Sequence, residues 1–353
     1  MIRAPRAGNI DFGRRVWIVR TVLGARIDVC TVLVCAALLL LTAVVAVLAI
    51  GTGDYHVPPG QVLAAVFGDA PRITEIVVMQ SRFPRVALAF LFGAALGVSG
   101  AIFQSLTRNP LGSPDIIGFS TGAYTGALVV ILTLGGGYYR TGAGALVGGL
   151  VAAAVVYVLA YKRGVQGFRL IIVGIAVSAV LASVNTWLVV KADVSEAIAA
   201  AVWGAGTLNG LGWPQVVPVL VALAVVTPAA AALSTRLPVL EMGDDAARAL
   251  GIRVEPTRLM LVILGVALTA LVTAAAGPIS FVALAAPQLA RRLTGTSSVA
   301  MVPAACMGAL LLIVSDVAAQ RVFAPTQLPV GVVTVCVGGA YFVWLLAREG
   351  RKQ

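Results

Sequence analysis

The chain has 353 residues, of which 60% are hydrophobic and 11% are charged, and its formal net charge is +11. Its mean hydropathy of +1.00 excludes an ordinary soluble globular domain. The composition instead predicts a membrane protein that crosses the bilayer many times. Because the apolar runs are too long and continuous for barrel strands, we expect α-helical spans of roughly 17 to 25 residues.

Ten apolar stretches follow one another along the chain and predict ten transmembrane helices. They cover about 28–50, 84–104, 114–134, 143–161, 169–190, 213–233, 258–276, 278–293, 299–317 and 329–347. Glycine and proline interrupt the third and the eighth stretch. The predicted fold is an all-α, polytopic membrane protein with one transmembrane domain at 28–348, a basic tail at 1–27 and a short C-terminus at 349–353.

Basic residues predict the orientation of these spans. An even number of spans places both termini on one side, and lysine and arginine favour the cytoplasm. With a cytoplasmic N-terminus, all but six of the 25 basic residues fall in inner segments; the six outer ones are Arg72, Arg82, Arg85, Arg140, Lys191 and Arg321. The positive charge is thus interpreted as a topology signal that also suits anionic lipid headgroups, and no nucleic-acid partner is expected.

The cysteines and the single histidine do not form a metal-binding pattern. Cys30, Cys35, Cys306 and Cys336 all lie in apolar runs without CxxC spacing, and His56 stands in an outer loop. We interpret the cysteines as small buried hydrophobic residues, and no metal site is expected.

No source of energy is visible in the sequence. The phosphate loop G-x-x-x-x-G-K-[ST] does not occur, so ATP hydrolysis by that arrangement is excluded. An ion-coupled transporter would carry ionisable groups deep inside its spans. Asp115 and Asp316 stand at the edges of spans, where helix capping or snorkelling explains them more simply. An ion-driven mechanism stays open without support, and no catalytic constellation favours a membrane enzyme.

One polar segment, residues 234–257, separates the sixth and seventh spans on the cytoplasmic side. Its sequence "GDDAARALG" predicts a short helix with Asp244 as N-cap and Gly251 as the terminating glycine. Glu255 and Pro256 predict the N-cap and first turn of the seventh span. The segment is either a solvated connector or a docking element for a soluble partner, with Leu250 as apolar anchor and Arg248 at the polar rim.

Several separated motifs resemble the permease subunits of ATP-driven importers for iron-siderophores and vitamin B12, the FecCD type, from about residue 30 to 348. The motifs are "RFPRVALAFLFGAALGVSGAIFQSLTRNPLGSPDIIGFSTGA" (82–123), "GDDAARALGI" (243–252), "GPISFVALAAPQLARR" (277–292) and "QLPVGVVTV" (327–335). Within the family the chain most resembles a ferric enterobactin-type permease subunit, in the stretches "GDAPR" (68–72), "FRLIIVGI" (168–175), "NTWLVVKA" (185–192) and "LEMGDD" (240–245).

The resemblance implies a type II importer permease of the cytoplasmic (inner) membrane, which moves ferric siderophore by alternating access. The implied partners are a second permease subunit in a heterodimer, two cytoplasmic ATPases that use ATP and Mg, and an extracytoplasmic siderophore-binding protein. The chain itself would bind no cofactor. Another siderophore, haem or cobalamin is the alternative cargo. The positions of "NPLGSP" (109–114) and "GPIS" (277–280) fit an inverted repeat of spans two to five and seven to ten.

The resemblance also assigns site residues. The ATPase-coupling set is Gly243, Asp244, Asp245, Ala247, Arg248, Leu250 and Gly251. Arg82 and Arg85 match the arginines that dock the binding protein, although juxtamembrane anchoring would also explain them. A third docking arginine of the family falls at Gln320, and its neighbour Arg321 is the third docking candidate in this chain.

Two further positions depart from the family, and three more are candidates for the translocation path. Many relatives have glutamate where Gln327 stands and histidine where Gln288 stands. On the fifth span, Ser178, Ser183 and Asn185 are candidate path residues, unless they only hydrogen-bond a neighbouring helix.

Overall fold

A computed structural model describes residues 16–18, 26–53, 55–115, 117–161 and 167–350. Side chains are described for 28–341, within those ranges, and for 343. Most of the predicted basic tail, together with Lys162, Arg163 and residues 351–353, therefore lies outside the described residues.

The described residues are almost entirely helical. Strands β1 (Val16–Ile18) and β2 (Arg26–Asp28) pair antiparallel and are the exception within the described part of the chain. The helices are α1 (Val29–Gly51), α2 (Pro59–Phe67), α3 (Arg72–Glu75), a π-helical segment (Ile76–Arg82), α4 (Phe83–Thr107), α5 (Phe119–Leu134), α6 (Tyr138–Ala160), α7 (Gly167–Lys191), α8 (Val194–Gly204), α9 (Trp213–Ser234), α10 (Leu237–Glu241), α11 (Asp244–Ala249), α12 (Val254–Ala276), α13 (Val282–Thr294), α14 (Met301–Arg321) and α15 (Val330–Gly350).

The all-α, polytopic prediction is confirmed, and a helix lies at each of the ten predicted spans. Within the described residues, seven helical runs are long and apolar enough to cross a membrane. One is the continuous run from the start of α3 to the end of α4. The other six are α1, α6, α7, α9, α12 and α14. The third and eighth predicted spans correspond to α5 and α13, which have only 16 and 13 residues.

These two short helices begin later than the sequence predicts. Gly118 and Gly277 have positive φ angles of 88° and 75°, so the backbone leaves the helical path just before each helix. Phe281, the N-cap of α13, also has a positive φ, of 72°. The predicted starts at 114 and 278 were therefore wrong by four or five residues.

Asp115 joins the two interrupted segments. Its carboxylate accepts hydrogen bonds from the Ser120 hydroxyl and from the backbone N–H of Phe281. The sequence-based interpretation of Asp115 as a capping or snorkelling residue at a span edge was too simple, because it ties the approach to α5 to the start of α13.

The centre of the molecule is the contact between α4 and α14. Phe92, Leu96 and Phe103 of α4 are fully or almost fully buried. The two helices approach closely because glycines face each other: a Cβ added at Gly93 would lie 2.3 Å from the carbonyl oxygen of Gly308. Small residues allow such close contact between membrane helices, and here they fix the position of α4.

The cysteines differ from their predicted burial. Cys306 is buried and Cys35 is half-buried, but Cys30 and Cys336 are exposed at the surface of this chain. Apolar position along a membrane helix does not distinguish a side chain that faces protein from one that faces lipid, which explains the error.

Candidate functional site

The central polar segment forms two short helices and the start of a long one. Gly243, with φ 119°, is the N-cap of α11, and Asp244 is its first residue. Gly251, with φ 82°, follows the end of α11, as its sequence predicted. The predicted cap at Asp244 was wrong because that carboxylate is engaged elsewhere. The predicted cap at Glu255 was also wrong, since Arg253 is the N-cap of α12.

The segment presents an apolar and a charged surface away from the helical core. Ala247 is completely buried and seats α11 against the protein. Leu250 is 63% exposed and Met242 is 70% exposed, one at each end of α11. Arg248 and Asp245 pair with each other at 3.1 Å on the exposed side. Within this chain, therefore, both apolar side chains and the charged pair are open to the surroundings.

Asp244 connects this segment to two long helices. Arg108, at the C-terminal end of α4, donates through Nη2 to Asp244 Oδ1 and through Nε to the carbonyl oxygen of Leu240 at 3.0 Å. Arg258 of α12 donates through Nη2 to the same carboxylate oxygen at 2.8 Å. Partial burial raises the pKa of Asp244, but the charges and hydrogen bonds of the two arginines outweigh it and lower that pKa below its ordinary value.

A second carboxylate fastens the same segment. Glu241, the last residue of α10, accepts a hydrogen bond from the Ser105 hydroxyl of α4 at 2.6 Å. Its Oε1 also accepts from the backbone N–H of Val299, just before α14, at 3.4 Å. The segment is thus bound to the C-terminal end of α4 and to the residue two positions before α14.

The Gln288 side chain of α13 is held by hydrogen bonds to α4 and to the loop that follows α4. Its Nε2 donates to Gln104 Oε1 at 2.7 Å and to the carbonyl oxygen of Pro110 at 3.3 Å, and Gln104 Nε2 in turn donates to Leu284. An amide therefore links α13 to the inner end of α4 at the position where the resemblance led us to expect histidine.

Near the N-terminal end of α4, Arg85 forms a largely buried ion pair with Asp316. Its guanidinium donates to both oxygens of Asp316 on α14, with Nη2–Oδ1 at 2.8 Å, and the two side chains are only 14% and 3% exposed. Gln320 donates to Asp316 at 2.8 Å, and Arg85 donates to Gln327 at 3.2 Å. Asp316 is therefore the centre of a buried network, which corrects its interpretation as a capping or snorkelling residue.

The other two predicted docking arginines lie in different surroundings. Arg82 donates to the carbonyl oxygens of Ile50 and Tyr55 at 2.6 and 2.7 Å, so it holds the C-terminal end of α1. Arg321, in the last turn of α14, is half-buried, and no carboxylate of the described residues pairs with it. Only Arg321 of the three thus offers a guanidinium without a carboxylate or carbonyl partner in this part of the chain.

A cavity of about 480 Å³ lies between α5, α7, α8 and the loop before α13. Its polar lining consists of Ser120, Thr121, Tyr124, Asn185, Thr186 and Ser280. Asn185 is 5% exposed; its Nδ2 donates to Thr121 at 3.4 Å, while its Oδ1 has no hydrogen-bond partner among the described residues. A buried acceptor without a partner is costly to the folded chain.

The other two predicted path residues do not line this cavity. Ser178 donates to the carbonyl oxygen of Gly174 at 2.7 Å, and Ser183 donates to that of Ala179 at 3.1 Å. Both therefore satisfy their hydroxyl groups within α7 itself. Ser183 is exposed on the surface of this chain, whereas Ser178 is half-buried.

Sequence reasoning missed four residues that build the inner site: Arg108, Glu241, Met242 and Arg258. Met242 could have been found, because it directly precedes the predicted short helix, at the end opposite Leu250. The two arginines look like ordinary basic residues of inner loops, and nothing local indicates that they share one carboxylate.

Comparisons with known proteins agree with this architecture. Residues 39–348 match the FecCD transport family. The chain is 49% identical to the ferric enterobactin transport system permease protein FepG of Escherichia coli strain K12, over 90% of this chain and 97% of that protein. It is 35% identical to the achromobactin transport system permease protein CbrC of Dickeya dadantii, over 88% of this chain and 90% of that one.

Its fold is also similar to a solved structure described as an inward-facing conformation of a metal-chelate type ABC transporter. The TM-score is 0.79 at 26% sequence identity, and the match covers 89% of this chain and 99% of the other. With the family match across most of its length, the chain is a membrane-spanning permease that belongs to the FecCD transport family.

Proposed function

We propose that this chain is a permease subunit of an ATP-driven importer that moves a ferric siderophore of the enterobactin type across the cytoplasmic membrane. The observation that carries the proposal is the 49% identity to the ferric enterobactin permease over nearly the full length of both chains. The cargo would pass by alternating access, with both termini of the chain in the cytoplasm.

The energy would come from partner ATPases that bind ATP and Mg, and this chain would receive it through residues 243–251. Leu250 and Met242 are the apolar anchors available to a groove on such a subunit, and Arg248 with Asp245 supplies the charged rim. Apolar side chains this exposed are stabilised by a partner that covers them.

An extracytoplasmic binding protein would deliver the cargo at the opposite face. Arg321 is available to a carboxylate of that partner, whereas Arg85 already binds Asp316 and Arg82 binds two backbone carbonyls. We infer that Arg321 makes the direct electrostatic contact and that Arg82 and Arg85 hold the outer ends of α1, α4 and α14 in place for it.

A second permease, different in sequence, would complete the translocation path along α7. Only 11% of the most apolar stretch of α7 is buried within this chain, so its surface is open to lipid or to another subunit. The cavity beside Asn185 would form part of the wall of this path. A ferric catecholate is large and anionic, and a wall of uncharged donors and acceptors permits weak contact and release.

Purification of the tagged chain from its own membrane, with identification of the retained subunits, tests the assembly. We expect a second permease and an ATPase. Leu250→Asp should lose the ATPase, because a charge replaces the apolar anchor, while the matched change Leu63→Asp on the outer helix α2 should retain it. Retention of the ATPase by both variants would contradict the role of the segment, and a chain without any ATPase would contradict the importer assignment.

Competition for uptake tests the cargo. In proteoliposomes with the complete complex, we measure uptake of ferric enterobactin labelled with radioactive iron. Unlabelled ferric enterobactin should suppress this uptake, whereas an equal amount of a ferric hydroxamate should not. Suppression by the hydroxamate alone would contradict an enterobactin-type cargo and indicate a hydroxamate siderophore instead.

A further inference from the structure

The inner ends of α4 and α12 are connected through one carboxylate of α11. We propose that Asp244 is the positioning residue that transmits a displacement of α11 to both halves of the permease at once, through Arg108 and Arg258. This inference rests on the proposed ATP-driven function and names the side chains that transmit the motion.

The three side chains form a compact charged cluster. Arg258 is 7% exposed and Asp244 is 32% exposed, so the pair at 2.8 Å is largely removed from water. Arg108 is the residue that ends α4, in the left-handed conformation with φ 50°, and this turn directs it to Asp244 and to Leu240. Charged hydrogen bonds at such short distances are about twice as strong as neutral ones.

Packing alone holds α11 weakly. The helix has six residues, and Ala247 is its one buried side chain among them. Leu250 and Met242, which flank it, are exposed. A force on this surface would slide or rotate the short helix against the domain, unless directional bonds couple it to something stiffer. Asp244, as the first residue of α11, provides such bonds at the end of the helix nearest α10.

The two arginines belong to corresponding helices of the two halves. In the inverted repeat of spans two to five and seven to ten, α4 is the first helix of one half and α12 is the first helix of the other. Arg108 ends the one and Arg258 lies near the start of the other. A single carboxylate between them therefore gives both halves the same displacement. Asp245, by contrast, pairs among the described residues with Arg248 of its own helix.

The test uses the complete purified complex in proteoliposomes and measures iron transported per ATP hydrolysed. The variants are Asp244→Asn, Arg108→Gln and Arg258→Gln, and Arg253→Gln is the matched control. Arg253 is exposed just before α12, and its side chain has no hydrogen bond or ion pair with the described residues. A merely structural defect lowers transport and hydrolysis together, so the ratio reports coupling itself.

We expect Asp244→Asn and each of the two arginine variants to retain ATP hydrolysis, while iron transported per ATP falls about tenfold, as for the loss of a charged hydrogen bond. Arg253→Gln should stay within about twofold of the parent. Adding Arg258→Gln to Asp244→Asn should cause a smaller further loss than Arg258→Gln alone, because both changes remove the Asp244–Arg258 contact, while Arg258 also pairs with Glu255 at 3.6 Å.

An unchanged ratio in Asp244→Asn would overturn the proposal. If that variant fails to assemble, Arg108→Gln decides instead, because it leaves the Asp244–Arg258 pair in place. An unchanged ratio in Arg108→Gln overturns the transmission to α4. Failure of the proposed function is a separate outcome, in which the parent complex itself moves no iron when supplied with ATP.

Discussion

The central pair α4 and α14 and the fifth predicted span, α7, are long apolar helices of similar hydropathy, but they have opposite surroundings. Of the most apolar stretch, 72% is buried in the run that contains α4 and 67% in α14, against 11% in α7. Hydropathy therefore identifies a span but not what covers it. Glycine contacts and buried ion pairs distinguish the internal scaffold, while α7 keeps its surface for lipid or a partner subunit.

Removal of the Arg85–Asp316 ion pair, which joins α4 to α14, should have the largest effect on stability. Asp316→Ala leaves the Arg85 guanidinium buried without its counter-ion, and we expect a loss of about 3–5 kcal/mol in the free energy of unfolding. Thermal unfolding of the purified chain in detergent measures it, with Glu75→Ala on the surface as control. The double variant Arg85→Ala with Asp316→Ala should be less destabilised than the sum of the two single changes. Strict additivity would contradict the pairing.

Disruption of the glycine contact between α4 and α14 should have the next largest effect on stability. A Cβ added at Gly308 would lie 2.1 Å from the carbonyl oxygen of Gly93, so Gly308→Ala must force α4 and α14 apart. Overpacking of this kind costs about 1–3 kcal/mol. Gly339→Ala on α15 is the matched control, since a Cβ there meets nothing within 4 Å. Equal melting temperatures for the two variants would show that the close approach is not essential.

The ion pair between Asp244 and Arg108, which attaches α11 to the end of α4, should weaken in acidic solution. Because its folded pKa is lowered, the Asp244 carboxylate contributes its full stabilisation above the ordinary pKa of aspartate, about 4, and loses that contribution as the pH falls through the lowered value. The stability difference between the parent chain and Asp244→Asn should be constant from about pH 6 to 8 and should shrink in more acidic solution. We expect a smaller effect than at Asp316, because Asp244 is one-third exposed. A difference that is independent of pH would contradict the ion pairing.

The smallest effect is expected on α7. Val180 is 64% exposed, so Val180→Ala in the isolated chain should change the free energy of unfolding by no more than about 0.5 kcal/mol. The same change in the assembled complex should weaken retention of the second permease if that subunit covers α7. A loss in the isolated chain as large as that of Gly308→Ala would remove the distinction between the two regions.

Local sequence patterns predicted the helices and the position of the polar segment, because hydropathy and terminating glycines act over a few residues. They did not predict the start of α5 or α13, where positive φ angles at Gly118 and Gly277 delay the helix. A glycine in a membrane helix more often serves packing, so its backbone role was not visible in advance.

Contacts distant in sequence could not be predicted at all. Arg85 and Asp316 are 231 residues apart, and Arg108 and Asp244 are 136 apart. Each of these charges had a simpler local explanation, such as a cap or a juxtamembrane anchor. The capping prediction at Asp244 failed for the same reason. An N-cap bond to backbone N–H groups competes with two arginines from other helices, and the Asp244 carboxylate binds the arginines because charged hydrogen bonds are stronger.

The central claim, that a partner's ATP hydrolysis drives this permease, is tested most directly by uptake of radioactive ferric enterobactin into proteoliposomes that hold the complete complex and the binding protein. ATP and Mg are supplied to the ATPases, and ionophores collapse the proton and sodium gradients. The account predicts that uptake continues with collapsed gradients and stops when ATP is withdrawn. Uptake that follows an imposed ion gradient without ATP would contradict it.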